Sequence, residues 1–273
     1  MKISICMITY GHQDYIEKAI HSILDQKTNF EIELVVANDN SPDLTSDVVK
    51  SIISSHPNGN KIVYIDNPTN IGIMPNFAQA LKRCDGKYVA LCEGDDYWID
   101  ENKLQKQIDF LENNSDYAIC YHKVKMEKDG EIIDDTITIE TPEKTTIYDL
   151  AKGNYMHTCS VVYRNHLFTD FPDYFYSSPI GDYFLHLLNA RFGNIHYIDQ
   201  TMAIYRVHNT SYWSSKEQIE RERIWVDFIQ NIKGNFDSKV QKLLVRQNYN
   251  FQYWRANKFQ KFILKLKSKL KLI

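Results

Sequence analysis

The stretch Tyr88-Val89-Ala90-Leu91-Cys92-Glu93-Gly94-Asp95-Asp96-Tyr97-Trp98 runs an apolar segment straight into three carboxylates and then into two aromatics. Consecutive apolar residues at 88–91 suit a strand covered on both faces, as in a parallel sheet. Glu93, Asp95 and Asp96 then fall just past the C-terminal end of that strand, where open α/β sheets place their ligands. Three acids this close repel one another unless a cation lies between them, and oxygen donors of this kind suit Mg²⁺ or Mn²⁺. A solvated acidic turn before a helix, with Asp96 or Asp100 as the cap, would also produce an Asp-Asp pair. The buried strand before the acids and the Tyr97-Trp98 pair after them favour a site.

The chain before this stretch alternates strand and helix. Residues 2–9 form an apolar first strand ending at Thr9-Tyr10-Gly11, after which Ile16, Ala19, Ile20, Ile23 and Leu24 recur at helical spacing. A second strand, Ile32 to Ala37, leads into Asn38-Asp39-Asn40-Ser41-Pro42-Asp43. A helix at about 44–55, a strand at 61–66, the turn Asn67-Pro68-Thr69-Asn70-Ile71-Gly72 and a helix near 75–84 follow. This alternation predicts an α/β fold with a mostly parallel sheet and helices on both faces, its strands ending in polar turns along one edge. Beyond the acids, Leu104, Ile108 and Leu111 mark a helix, Tyr117 to Met126 a strand, and Asp129-Gly130 a hairpin into a strand at 131–139. Another strand is expected around His157 to Tyr163, then a helix opening at Ser178-Pro179 with Asp182 in its first turn. Strands near 195–199 and 202–207 close the body, and the pattern after 215 is helical.

With 273 residues, 43% hydrophobic and 13% aromatic, the chain supports one large domain with a helical appendage. No run approaches the roughly 18 consecutive apolar residues of a membrane span. Met1-Lys2 leads directly into strand-like sequence and reads as a chain without a signal peptide. The five cysteines show no Cys-x-x-Cys spacing and lie mostly in apolar runs, as buried free thiols of a reducing compartment do. No Gly-x-Gly-x-x-Gly or Gly-Lys-Ser/Thr occurs, which argues against a dinucleotide oxidoreductase or a P-loop NTPase. The net charge of −3 is unevenly spread: ten Lys/Arg and no acids follow Asp237, which leaves an acidic body and a basic tail.

Taken together, Ile8-Thr9-Tyr10-Gly11, Asn38-Asp39-Asn40-Ser41-Pro42-Asp43, Asn70-Ile71-Gly72, Glu93-Gly94-Asp95-Asp96, Gly181-Asp182 and Tyr205-Arg206-Val207-His208 resemble, in order and spacing, the family 2 glycosyltransferases of the GT-A fold. The resemblance covers roughly residues 2–210. It implies a GT-A catalytic domain at 1–212, with a nucleotide-sugar-binding half at 1–100 and an acceptor-binding half at 101–212, and a basic helical extension at 213–273. It further implies an inverting, metal-dependent hexosyl- or N-acetylhexosaminyltransferase, of bacterial surface-polysaccharide type, that uses a UDP-sugar and Mn²⁺ or Mg²⁺. Thr9, Tyr10 and Asp39 fall where the family holds the uridine base, and Asn70, Glu93, Gly94, Asp95 and Arg206 complete the nucleotide-sugar set. Asp95, Asp96 and His208 are the implied metal ligands, and Asp182 is the implied catalytic base.

The residues leave other readings open. Glu93 stands where the family usually has Asp, and Gly181 where it usually has the Glu of a Glu-Asp pair. A catalytically inactive nucleotide-sugar-binding or scaffold protein is therefore one alternative. A sugar-phosphate nucleotidyltransferase is another, although Thr9-Tyr10-Gly11-His12-Gln13-Asp14 offers no glycine-rich basic loop. Asp39 would also serve as a turn residue, His208 as a surface histidine, Arg206 as the partner of a structural carboxylate and His157 as a buried strand histidine. From Phe259 onward, Phe259, Phe262, Ile263, Leu266, Leu270 and Ile273 follow helical spacing with lysines between them. Such a basic amphipathic helix over 255–273 suits an anionic membrane surface, at about 1 kcal/mol per basic residue. That predicts a cytoplasmic protein, peripheral on the inner face of the membrane, with a saccharide or lipid-linked acceptor and no nucleic-acid partner.

Overall fold

The computed structural model describes residues 1–135, 141–209, 213, 216–255, 265 and 268. Its first half is built as the alternation predicts. Strands β1 (Lys2–Thr9), β2 (Glu31–Asn38), β3 (Ile62–Asp66) and β4 (Tyr88–Leu91) pair in parallel in the order β3-β2-β1-β4. Helices α1 (Ile16–Leu24), α2 (Thr45–Ser55) and α3 (Ile73–Arg83) make the crossovers. Thr9 is opposite Asn38, and Asn38 opposite Asp66, so these strands end level along one edge. Ile16, Ala19, Ile20, Ile23 and Leu24 of α1 are all buried, the stripe that its 3.6-residue period dictates. Truncating one of the larger members, such as Ile20, to Ala costs about 2–5 kcal/mol.

Beyond β4 the sheet is mixed. Elements β5 (Tyr97–Trp98), α4 (Lys103–Asn113), β6 (Tyr117–Lys128), β7 (Glu131–Asp134), β8 (Lys144–Thr145) and α5 (Ile147–Leu150) come first. Then follow β9 (Val162–Arg164), α6 (Gly181–Asn189), β10 (Asn194–Val207), α7 (Gln218–Ile232) and α8 (Ser238–Arg255). The short β9 bridges β4 and β6 antiparallel to both, and β6 pairs with β10 in parallel. Parallel pairing thus runs through the first four strands and recurs between β6 and β10. Phe228, Ile229 and Ile232 of α7 enter the same core cluster as Leu187 and Leu188 of α6.

Several local expectations are corrected. His157–Ser160 is no strand: Thr158–Ser160 form a 3-10 turn, and pairing begins at Val162. Ser178 does not cap α6, which opens at Gly181; its Oγ bonds the Ile180 backbone instead. The two closing strands are one, because Asp199 and Gln200 bulge outward without ending the pairing of β10 with β6. Residues 136–140 and most of the basic tail at 256–273 lie outside the described residues. The five cysteines are free and buried. Among the described residues no helix is long and apolar enough to cross a membrane.

One feature had no sequence signal. Lys103 is 0% exposed; its Nζ donates to Gln107 Oε1 at 2.8 Å and lies 3.9 Å from the Trp98 ring centre. Burial brings its ammonium down to about 8 from the ordinary 10.5. The unfolded chain holds this proton more tightly, so the group's contribution to stability rises between about pH 8 and 10.5, by about 3 kcal/mol in all. The difference in unfolding free energy between wild type and Lys103→Met is expected to move toward wild type by that amount across the window. Urea denaturation at each pH measures it, and a pH-independent difference would contradict a desolvated ammonium.

Candidate active site

Chain order runs from β1 outward to β3 and then crosses back to β4, so a topological switch point lies between the C-terminal ends of β1 and β4. Past β4, the Cys92 N–H donates to Cys6 O at 3.2 Å and the Gly94 N–H to Ile8 O at 3.0 Å, which lays the acidic loop along β1. A Cβ on Gly94 would stand 2.7 Å from Thr9 Oγ1 and 2.8 Å from Ile16 Cδ1, so only glycine permits that approach. Tyr97 and Trp98 pack beneath the loop: Tyr97 OH donates to Glu127 and Trp98 Nε1 to Cys159 O.

Asp96 and Arg206 depart from the roles implied for them. Asp96 is 0% exposed; its Oδ1 accepts the Arg206 backbone N–H at 2.8 Å, and Oδ2 has no hydrogen-bond partner among the described residues. Burial, reinforced by the Asp95 charge, pushes its carboxyl well above the usual range, and its hydrogen bond ties it to the backbone of β10. Arg206 turns its guanidinium inward as well. Nη1 donates to Asp95 O at 2.8 Å, Nε reaches Glu127 Oε2 at 3.4 Å, and the group lies 4.4 Å from the Tyr97 ring centre. Its carboxylate partner is Glu127 of β6. What the Asp96–Arg206 pair does is place the next turn of chain: His208 Nε2 arrives 3.0 Å from Asp95 Oδ2. His12, from the loop after β1, brings its Nε2 to 3.8 Å from the same oxygen.

Donor atoms of His12, Asp95 and His208 all lie within 4.8 Å of one another. Burial opposes ionisation of Asp95, but the His208 hydrogen bond and the charges of His12 and His208 outweigh it and hold the carboxyl below its usual range. An ionised carboxylate between two imidazoles fits a divalent cation. His12 was not singled out in the sequence; its position two residues after Tyr10, on the edge that also carries Asp95, was the available signal.

His12 and Asp95 open onto a cavity of about 1020 Å³, with His208 set behind Asp95. Thr9, Tyr10, Asp39, Asn70, Glu93 and Asp95 line it, whereas Gly94, Asp96 and Arg206 stand behind its wall. Thr9 Oγ1 is buried without a hydrogen-bond partner among the described residues, while Tyr10 is 48% exposed. Asp39 straps the following loop: Oδ1 accepts from Ile71 N–H at 2.8 Å and Asn67 Nδ2 at 3.1 Å, and Oδ2 from Gly72 N–H at 2.9 Å. Asn70 Oδ1 accepts from the same Gly72 N–H at 3.1 Å. Glu93 is half-buried; burial and the charges of Asp95, Asp96 and Asp182 raise its carboxyl well above the usual range.

Asp182 enters the cavity from the first turn of α6, with Thr158 Oγ1 at 3.5 Å. A Cβ on Gly181 would fall 2.4 Å from Met74 Sδ, so the methionine of α3 fills the space that a glutamate side chain would need. His157 also lines the cavity, and its partner is a carboxylate: Nε2 lies 3.0 Å from Asp135 Oδ1, both side chains buried.

The sequence profile described as "Glycosyl transferase family 2" matches residues 4–211. The chain belongs to that family. An uncharacterised Mycobacterium tuberculosis protein is 33% identical over 225 residues, which cover 82% of this family 2 chain and 63% of that one. The chain therefore spans less than two thirds of that relative's length. Two solved structures share the fold with a TM-score of 0.68 each. One is Staphylococcus aureus TarS 1–349 in complex with UDP-GlcNAc, at 18% identity over 96% of this chain and 78% of that one. The other is a Pyrobaculum calidifontis mannosyltransferase in complex with GDP-Man and Mn²⁺, at 14% identity over 99% and 80%. Both likenesses establish the GT-A architecture of this family 2 protein.

Asp96→Asn keeps the acceptor for the Arg206 N–H and is expected to match wild type in thermal stability and Mn²⁺ affinity. Asp96→Ala leaves a buried N–H unpaired and is expected to cost about 1–3 kcal/mol. Loss of Mn²⁺ affinity in the well-folded Asn variant would return Asp96 to the metal set.

Proposed function

We propose that the protein transfers a sugar from a nucleotide-diphosphate donor, a UDP-sugar, to a hydroxyl of a saccharide or lipid-linked saccharide, with inversion at the anomeric carbon. The observation that carries this reading is the opposition within one cavity of two carboxylates: Asp95 at the switch point and Asp182 on α6. Thr9, Tyr10, Asp39 and Asn70 form the wall on which the nucleoside lies, with Tyr10 as the aromatic surface at its rim. Asp95 and His208 hold a divalent cation, which when bound supplies positive charge to the leaving diphosphate. Asp182 accepts the proton of the acceptor hydroxyl as its oxygen bonds to the anomeric carbon. The carbon–oxygen bond to the diphosphate breaks on the opposite face, and its electron pair leaves with the nucleotide. The ligands in the TarS and mannosyltransferase structures support a nucleotide-sugar donor, and the Mn²⁺ in the latter supports the cation. The basic tail is the feature that favours a lipid-linked acceptor at a membrane surface.

Calorimetric titration of UDP, GDP, CDP and ADP, with and without Mn²⁺, tests the donor. Metal-dependent binding of UDP, lost in Asp95→Ala, is expected; equal binding of every diphosphate without metal would sink the reading. Asp182→Asn is expected to keep UDP affinity and lose about 10²–10⁴ of UDP-sugar turnover. Gly181 beneath Met74 favours a second reading, a protein that binds the donor without transferring it. Turnover equally slow in wild type and Asp182→Asn, with intact UDP binding, would select it.

A further inference from the structure

The loop after β1 is held at three consecutive backbone N–H groups. Gly11 donates to Ser41 Oγ at 3.0 Å, His12 to Thr45 Oγ1 at 2.9 Å and Gln13 to Asp43 Oδ2 at 3.1 Å. The His12 carbonyl accepts from Tyr15 and Ile16 N–H, both at 2.9 Å, as α1 begins. Its backbone is thus fixed on both sides, and its ring is aimed at the acidic loop. Nε2 is 3.8 Å from Asp95 Oδ2, beyond hydrogen-bond reach, and the ring centre is 6.1 Å from that of His208. Nδ1 is buried without a hydrogen-bond partner among the described residues. Most buried side-chain polar atoms are hydrogen-bonded, so an unpartnered imidazole facing an acidic loop asks for a reason. This one is 15% exposed, pre-positioned, and hydrogen-bonded through neither nitrogen.

We propose that His12 is a third protein ligand of the cation held by Asp95 and His208, and that this two-imidazole, one-carboxylate face selects a first-row transition dication such as Mn²⁺ over Mg²⁺. The proposal rests on the metal-dependent reading above. Mg²⁺ is hard, takes oxygen donors and keeps its waters, whereas imidazole nitrogen favours borderline transition ions. His12, Asp95 and His208 would supply three protein donors to such a cation and leave room in its coordination shell for oxygens of the donor and for water. The His12 backbone is already held, so bringing its Nε2 in from 3.8 Å needs only side-chain adjustment. His12 comes from the loop after β1, Asp95 from the loop after β4 and His208 from the end of β10, so the ion joins three separate segments. An acidic loop alone would leave the choice between Mg²⁺ and Mn²⁺ open; the second imidazole decides it.

The test is Mn²⁺ binding by the full chain, read as loss of the free-ion EPR signal, with and without UDP and with Mg²⁺ as competitor. Wild type is expected to retain Mn²⁺ against a tenfold excess of Mg²⁺. His12→Gln is expected to weaken Mn²⁺ at least tenfold, and His12→Asp to bind but lose the preference over Mg²⁺. Pulsed EPR on wild type is expected to show nitrogen couplings from two imidazoles, a readout that does not depend on either variant folding. A single coupled imidazole, or wild-type Mn²⁺ affinity in His12→Gln while Asp95→Ala loses it, would overturn the role of His12 and leave the metal-dependent reading standing. No Mn²⁺ binding by wild type under any condition would remove both.

Discussion

Acceptance of the Arg206 N–H by the buried Asp96 carboxyl is the contact on which the site depends. It joins the loop after β4 to the end of β10, two segments 110 residues apart in sequence. The Arg206 guanidinium adds a second tie by donating to the Asp95 carbonyl, so backbone and side chain of one residue grip both neighbouring acids. With the strand held this way, His208 has little choice of position. A carboxyl group that reads in sequence as a metal ligand is what sets His208 beside Asp95.

Charge balance follows from the same arrangement. Glu93, Asp95, Asp96 and Asp182 influence one another across the cavity and its wall, and four ionised carboxylates there would oppose folding. The structure separates them by environment. Asp96 and Glu93 are driven toward their neutral forms by burial, and Asp95 is kept ionised by two histidines. One anion at the switch point, with a second carboxylate across the cavity, is the arrangement that the proposed sugar transfer would use, one for a cation and one for a proton.

Much of this was legible in the sequence, and the parts that were not have identifiable causes. Period and turn chemistry sufficed for the first four strands because each is a local pattern with a short crossover. The 14-residue β10 was split in two because a bulge and a chain break look alike when only Asp199 and Gln200 are seen. Asp95, Asp182 and His208 were singled out by a motif order, and the structure sets His208 beside Asp95 and lets Asp182 line the same cavity as Asp95, whereas His12 carries no motif and is recognised only by what stands across from it. Sequence does not say which way a side chain turns; burial decides that, and Asp96 and Arg206 both turn inward, away from the cavity face expected of them. Lys103 was invisible for a similar reason, since an amphipathic helix gives no hint that one of its lysines faces the core.

The bulge in β10 also bears on how this chain tolerates change over time. Between Ile198 and Ala203 the strand advances five residues while its partner β6 advances two, from His122 to Val124. Everything after that point alternates sides from a count that the bulge sets. Loss of a single residue there would reverse which side chains of 204–207 face the core, and would pull His208 out of step with Asp95. Insertions and deletions should therefore be tolerated at the Asp129-Gly130 hairpin, where both residues have positive φ and the surroundings are open. They should be purged from 198–207. Length, more than residue identity, is what natural variation is least free to alter in that strand.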